Sequence, residues 1–133
     1  MKPDTPCPCG RAARYADCCG RWHAEFAASG RRLAPTPEAL MRSRYAAFVL
    51  DLRPYLLATW HARTRPAALE APEPGLKWLG LEVRRAATPD TEHGTVEFVA
   101  RSKLGGRAQR LHETSRFVRE QGEWFYVDGD LAP

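Results

Sequence analysis

Four cysteines offer the plainest chemistry in this sequence. Cys7, Cys9, Cys18 and Cys19 are all the cysteines of the 133-residue chain, and they fall in the pattern C-x-C-x8-C-C. Two close thiolate pairs at the ends of a short loop can converge on one tetrahedral ion, and zinc is the usual occupant of a four-sulfur site. Such a site supplies folding energy to a segment too short to bury a core. Gly10 and Gly20 each follow a ligand pair, where the backbone often needs a conformation that a side chain would obstruct. The competing reading is a pair of disulfides joining Cys18 and Cys19 to Cys7 and Cys9, which requires an oxidising compartment. The start of the chain shows no apolar signal region, so a reducing cytoplasm is the expectation. His23, four residues past Cys19, is a substitute ligand only if one thiolate is missing, because four already complete the shell.

A second set of polar residues lies outside the cysteine loop. In the run Leu111–Phe117, alternation puts Leu111, Glu113, Ser115 and Phe117 on one face and His112, Thr114 and Arg116 on the other. The apolar pair marks the first face as the inner one, so Glu113 sits among apolar neighbours and must be paired or neutralised. Arg44 is the expected partner. The pair is then structural, or Glu113 is a general acid or base tuned by burial. Trp60-His61 is the other candidate for chemistry. The sequence has no evident serine–histidine–acid or cysteine–histidine arrangement, and Gly105-Gly106 lacks the strand–helix context of a nucleotide loop.

These residues need elements to position them. Residues 1–6 are Pro-rich and expected to be loose, and 7–20 form the knuckle. Residues 21–29 read as a short helix stopped by Gly30, with Trp22 and Phe26 forming an apolar stripe. After a linker over 31–35, Thr36 is a good N-cap, Pro37 suits the first turn and Glu38 favours the positive end of the helix dipole. The helix that follows runs to about Leu50, with Met41, Tyr45, Phe48, Val49 and Leu52 as its expected buried face and Arg44 on the rim of that stripe. A further short helix covers Arg53 to Thr59, and Pro66, Pro72, Pro74 and Gly75 break the chain beyond it. From Leu76 the period becomes alternating: Leu76–Ala87, Gly94–Lys103, Arg107–Glu120 and Glu123–Asp128 read as strands. Gly105-Gly106 and Gln121-Gly122 are the turns between the last three. Helices followed by a long, curved antiparallel sheet make an α+β protein.

Composition sets limits. With 44% hydrophobic residues the chain has enough for a core, and no apolar run approaches the ~18 residues that cross a bilayer. The formal charge is +4. Four thiolates around a divalent ion add −2, which leaves about +2 and weakens any nucleic-acid reading based on charge alone. Arg11, Arg14, Arg21, Arg31 and Arg32 nevertheless gather around the knuckle, and Arg101, Lys103, Arg107 and Arg110 flank a turn. They read as solvated side chains or as a contact surface for ribosomal RNA or an acidic protein.

Cys7-Pro8-Cys9-Gly10, Tyr15 and Cys18-Cys19-Gly20 resemble the SEC-C zinc motif known from the tail of the SecA translocase. Leu40–Val49, Tyr55-Leu56, Thr59-Trp60-His61, Thr64-Arg65, Val96–Arg101, His112-Glu113, Ser115–Phe117 and Trp124–Gly129 resemble the YchJ family. Two features depart from its pattern: Gly10-Arg11-Ala12 replaces the usual Gly-Ser-Gly, and the chain stops at Leu131-Ala132-Pro133 without the second cysteine motif of many members. The resemblance implies a zinc knuckle over 1–30 and a nuclear transport factor 2-like domain over 31–133, in which a curved sheet wraps around a few helices. It also implies a cone between sheet and helices. Arg44, Tyr45, Trp60, His61, Trp78, Glu113, Trp124 and Asp128 are the residues expected to line it. Two functions follow as expectations. One is a cytoplasmic zinc-binding accessory protein whose knuckle meets a protein or ribosomal partner without entering a membrane. The other is a small-molecule binder or enzyme that uses the cone.

Overall fold

The computed structural model of the chain describes residues 4–132. The expectation of a loose start falls partly on residues 1–3, outside the described residues. Where the start is described it is tied down: the Tyr15 amide donates to Thr5 O at 2.7 Å, and Pro6 bridges Arg14. A 3-10 turn at Tyr15–Asp17 leads into α1 (Cys19–Ser29), α2 (Pro37–Leu50) and α3 (Arg53–Ala58). Four strands follow, β1 (Lys77–Ala87), β2 (His93–Leu104), β3 (Arg107–Glu120) and β4 (Glu123–Leu131), in one antiparallel meander of order β1-β2-β3-β4.

The punctuation works as its chemistry dictates. Thr36 accepts from the Ala39 amide at 3.0 Å and caps α2, with Pro37 in the first turn. Gly30 closes α1 at a φ of 76°. Gly105-Gly106 and Gln121-Gly122 all have positive φ, the requirement of a two-residue hairpin turn that matches strand twist. β4 continues past Asp128 to Leu131 because its partner β3 is long enough to pair with it to that point.

The helices cover one face of the sheet, and the core lies between. Leu40, Met41 and Tyr45 of α2 meet Val96, Phe98 and Ala100 of β2, Phe117 of β3 and Trp124 of β4. The expected buried face of α2 needs correction. Phe48 is 40% exposed and Val49 and Leu52 are only half-buried, whereas Leu40, Ser43, Ala46 and Ala47 are buried. The helix is covered from several sides, so a single stripe does not describe it. Ala46 packs on the cysteine loop and Ala47 packs on α3 beside Tyr55 and Leu56. Two adjacent alanines allow those elements to come close.

One close contact fixes how the sheet meets α2. A Cβ at Gly94, near the start of β2, would overlap the Pro37 ring. Pro37 is held in the first turn of α2 and cannot swing aside. Gly94→Ala is expected to destabilise the protein by about 1–3 kcal/mol, the range for overpacking a well-filled contact. A denaturant midpoint that falls while the slope stays constant is the signature to look for in an unfolding titration.

Candidate metal centre and cone cavity

Cys7 and Cys9 lie in the loop, Cys18 is the residue that begins α1 and Cys19 is its first helical residue. The loop closes on itself through Cys7 N to Ala13 O at 3.0 Å and Gly10 N to Cys7 O at 3.3 Å. This brings the four sulfurs within 4.8 Å of one another, all in buried residues. Cys9 Sγ and Cys18 Sγ stand 3.6 Å apart, far beyond the ~2.05 Å of a disulfide, and all four cysteines are free. A tetrahedral ion with metal–sulfur bonds of about 2.3 Å separates its sulfurs by roughly 3.8 Å. The donor set therefore fits a four-thiolate metal site, and the disulfide reading fails. Burial first, then the nearby Cys9 sulfur, pushes the Cys18 thiol up to about 11, while the Cys19 and Cys7 sulfurs pull Cys9 down. Sulfurs this close cannot all ionise without a cation among them.

The two glycines serve the site differently. Gly10 has a φ of 91°, the conformation expected of it. Gly20 is helical, and what it provides is room. A Cβ there would stand 2.6 Å from Tyr15 O and 2.9 Å from the Tyr15 ring.

His23 is not part of the cluster. Its Nε2–H donates to Ser43 O at 2.8 Å, which leaves Nδ1 to accept from the Tyr15 hydroxyl at 2.5 Å. Burial holds its pKa below the ordinary value, so the imidazole is neutral and the tautomer follows from the carbonyl acceptor. The arginines around the knuckle are largely engaged. Arg11 pairs with Glu38 at 3.1 Å, Arg14 with Asp17 at 2.6 Å and Arg32 with Glu123 at 2.8 Å. Arg42, given no role in the sequence reading, donates to Cys9 O at 2.8 Å and pins the loop to α2.

On the other side of α2 the cone is open. A cavity of about 300 Å³ lies between Met41, Arg44, Tyr45 and Phe48 of α2 and the inner face of the sheet. Trp78, Phe98 and Ala100 line it from β1 and β2, and Leu111, Glu113, Ser115 and Phe117 from β3. Trp60 and Tyr126 complete the wall. Trp60 is placed by a short parallel bridge in which the Tyr126 amide donates to Thr59 O at 2.8 Å and the His61 amide to Tyr126 O at 2.7 Å.

Five of the eight candidate residues, Arg44, Tyr45, Trp60, Trp78 and Glu113, thus meet in one cavity. Three do not. Trp124 is packed into the core beside Leu40. His61 turns outward, bonded to Glu120 at 2.9 Å and set edge-on to Phe125. Asp128 is bonded to Arg116 at 2.6 Å in an exposed pair. Strict alternation from Trp124 and Tyr126 would point Asp128 inward, but the register shifts between the pairs Arg116–Asp128 and Phe117–Tyr126, and this bulge turns it out. Met41, Phe48, Phe98, Ala100, Leu111, Ser115, Phe117 and Tyr126 are lining residues that were not among the candidates. The inward alternation of Val96, Phe98 and Ala100 was the available signal for two of them.

The expected Arg44–Glu113 pair is not made. Arg44 Nη1 donates to Leu56 O at 2.8 Å and to Thr59 Oγ1 at 2.6 Å, at the carbonyl-rich end of α3. Its guanidinium also lies 4.7 Å from the Tyr126 ring centre and 5.1 Å from that of Trp60. Burial pulls its pKa down to about 10, still cationic at neutral pH. Glu113 accepts instead from Ser115 Oγ at 2.5 Å, and its carboxylate occupies the space left by the missing side chain of Gly129.

Comparison with known proteins agrees with this geometry. A family model described as "YchJ, middle NTF2-like domain" matches residues 36–129, and the SEC-C motif matches residues 5–21. A UPF0225 protein of Methylibium petroleiphilum is 64% identical over all of this chain and 97% of its own length. One from Bordetella pertussis is 55% identical, covering 97% of this chain and 96% of that protein. The solution structure of a SEC-C motif containing protein from Rhodopseudomonas palustris superposes with a TM-score of 0.81 at 33% identity, covering 97% of this chain and all of that one. A crystal structure of another such protein, from Psychrobacter arcticus, gives 0.78 at 26% identity over 98% of this chain and 85% of that one. With an amino-terminal SEC-C motif and a nuclear transport factor 2-like α+β fold, the chain belongs to the YchJ (UPF0225) family.

Proposed function

We propose that the chain is a cytoplasmic accessory protein whose four cysteines hold one zinc ion as a closed structural site, and that the knuckle so formed serves as an interaction surface. The observation that supports this most is the convergence of four buried sulfurs within 4.8 Å. A complete four-thiolate shell offers no open position for substrate, which separates a structural zinc from a catalytic one. Free thiols in that number need a reducing compartment, hence the cytoplasm. No helix among the described residues is long and apolar enough to cross a membrane.

The division of labour within the chain belongs to the same reading. Among the described residues, those up to 30 form the metal-held segment and those from 31 onward the α+β domain, joined where Ala46 packs on the cysteine loop and Arg42 donates to Cys9 O. The partner is a protein or ribosomal surface of acidic character. It is reached through Arg21 and Arg31, the knuckle arginines that make no ion pair with a described carboxylate, Arg21 lying over the Trp22 ring at 4.5 Å.

Protein purified without chelator is expected to carry one zinc per chain, with four thiols that react with a thiol reagent only after chelation. A metal-free protein with four promptly reactive thiols removes the premise. Cys18→Ser is expected to lose the ion and the amide-exchange protection of residues 7–29 while β1 to β4 stay protected; loss of protection throughout the sheet refutes the two-part division. For the partner, wild-type protein is expected to co-sediment with ribosomes at low salt and the double variant Arg21→Glu, Arg31→Glu to lose this. Equal sedimentation of both, or of neither, rejects the ribosomal surface.

A further inference from the structure

The cone cavity contains a cation, Arg44, and a carboxylate, Glu113, that make no direct ion pair. Arg44 is buried, 6% exposed, yet among the described residues only its Nη1 has hydrogen-bond acceptors, and both are neutral. Among the described side chains, Trp60 Nε1 is the buried polar atom that lacks any partner. The remaining Arg44 nitrogens are therefore not sealed off, and since Arg44 lines the cavity, that is where they open. A buried cation with spare N–H donors and, among the described residues, no carboxylate in contact with it is a ready site for a ligand carboxylate, which can take two parallel hydrogen bonds from a guanidinium.

The rest of the cavity defines the body of such a ligand. Tyr45 and Trp78 meet edge-on at 5.5 Å, and Trp60 and Tyr126 at 5.2 Å, and these two aromatic pairs wall the space. A volume of about 300 Å³ is roughly twice the ~150 Å³ cavity that accepts a benzene ring, and it suits one or two fused rings with a short substituent. The rim is apolar as well: Phe48 and Leu111, each 40% exposed, are large hydrophobic side chains left uncovered at the opening. Glu113 sets a further limit. Its carboxylate lies in the same cavity with Ser115 as its one hydrogen-bond donor among the described residues, so it accepts an N–H or O–H from a ligand and repels a second negative charge.

We propose that this cavity binds a small flat aromatic monocarboxylic acid, with the carboxylate on Arg44, the ring between the aromatic walls, and Glu113 selecting against diacids. This site is separate from the knuckle and does not depend on the metal reading.

The test is calorimetric titration of the full chain with phenylacetate, indole-3-acetate and 2-naphthoate, with 2-naphthol and 2,6-naphthalenedicarboxylate as controls. At least one of the three monoacids is expected to bind. 2-Naphthol and the diacid should each bind about tenfold or more weakly than 2-naphthoate, the scale of one charge-assisted hydrogen bond. Glu113→Gln should narrow the gap between mono- and diacid, and Arg44→Met should remove the gap between acid and alcohol. Because Arg44 also ties α2 to α3, a second variant guards the result: Leu111→Trp, at the exposed rim, should block binding with no change in melting temperature. Absence of binding by all three monoacids, equal affinity for 2-naphthoate and 2-naphthol, or unchanged binding by Leu111→Trp overturns the proposal.

Discussion

The constraint on which the rest of the structure depends is the enclosure of α2. Its neighbours are α1, α3, β1, β2 and β4, so it has almost no face to spare for water. A helix enclosed in this way cannot keep a simple apolar stripe. It needs small residues where backbones approach, and Ala46 and Ala47 are fully buried. It must also satisfy any polar group it carries from within the protein, since an unpaired buried group costs about 1–3 kcal/mol.

Ser43 shows how that requirement organises the helical layer. Its hydroxyl donates to Leu40 O at 2.7 Å and therefore accepts from the Tyr55 hydroxyl at 2.7 Å. Its carbonyl accepts from His23, which in turn accepts from Tyr15. One relay of hydrogen bonds thus runs from the cysteine loop through α1 and α2 to α3. Each member has its donor and acceptor roles fixed by the next, the condition under which a buried polar network specifies a single packing. His23 belongs to this relay, which explains a buried histidine four residues from a cysteine that takes no part in the metal cluster. Arg44, one residue on, is anchored through Nη1 at the end of α3 instead. The helix therefore draws on α1 for one neighbour and on α3 for the next.

Legibility from sequence followed the range of the interaction. The cysteine spacing, the Thr36 cap, the Gly105-Gly106 turn and the alternation that placed Glu113 and Phe117 on the inner face are local signals, and each held. What failed depended on partners distant in the chain. The burial of Ser43, Ala46 and Ala47 comes from α3 and the cysteine loop packing on the far sides of α2, which no period within α2 announces. Asp128 was misplaced because a bulge opposite Phe117 shifts β4 by one residue, and a one-residue shift exchanges the two faces of a strand. Arg44 was matched to Glu113 on its charge and its place beside the buried stripe of α2. The carbonyls at the end of α3 lie nearer, and Glu113 had a hydroxyl two residues away on its own strand. His61 was misplaced by the short bridge to Tyr126, which fixes Trp60 inward and turns the next side chain outward.

The two candidate sites sit on opposite sides of this one helix, and their residues interleave along it. Arg42, Ser43 and Ala46 face the cysteine loop and α1, while Met41, Arg44, Tyr45 and Phe48 face the cavity. Each set repeats at helical spacing, so the two lie on separate faces of a rod about 21 Å long. No residue of α2 belongs to both sets. The sites are thus separable by substitution, yet both need α2 held against the sheet, and the cysteine loop packs on the helix from the side away from the cavity. The cavity exists because Arg44 is drawn sideways to α3 and Glu113 lies back over Gly129. Neither charge reaches across the cone to close it, and the aromatic side chains around them are too rigid to collapse into the space between.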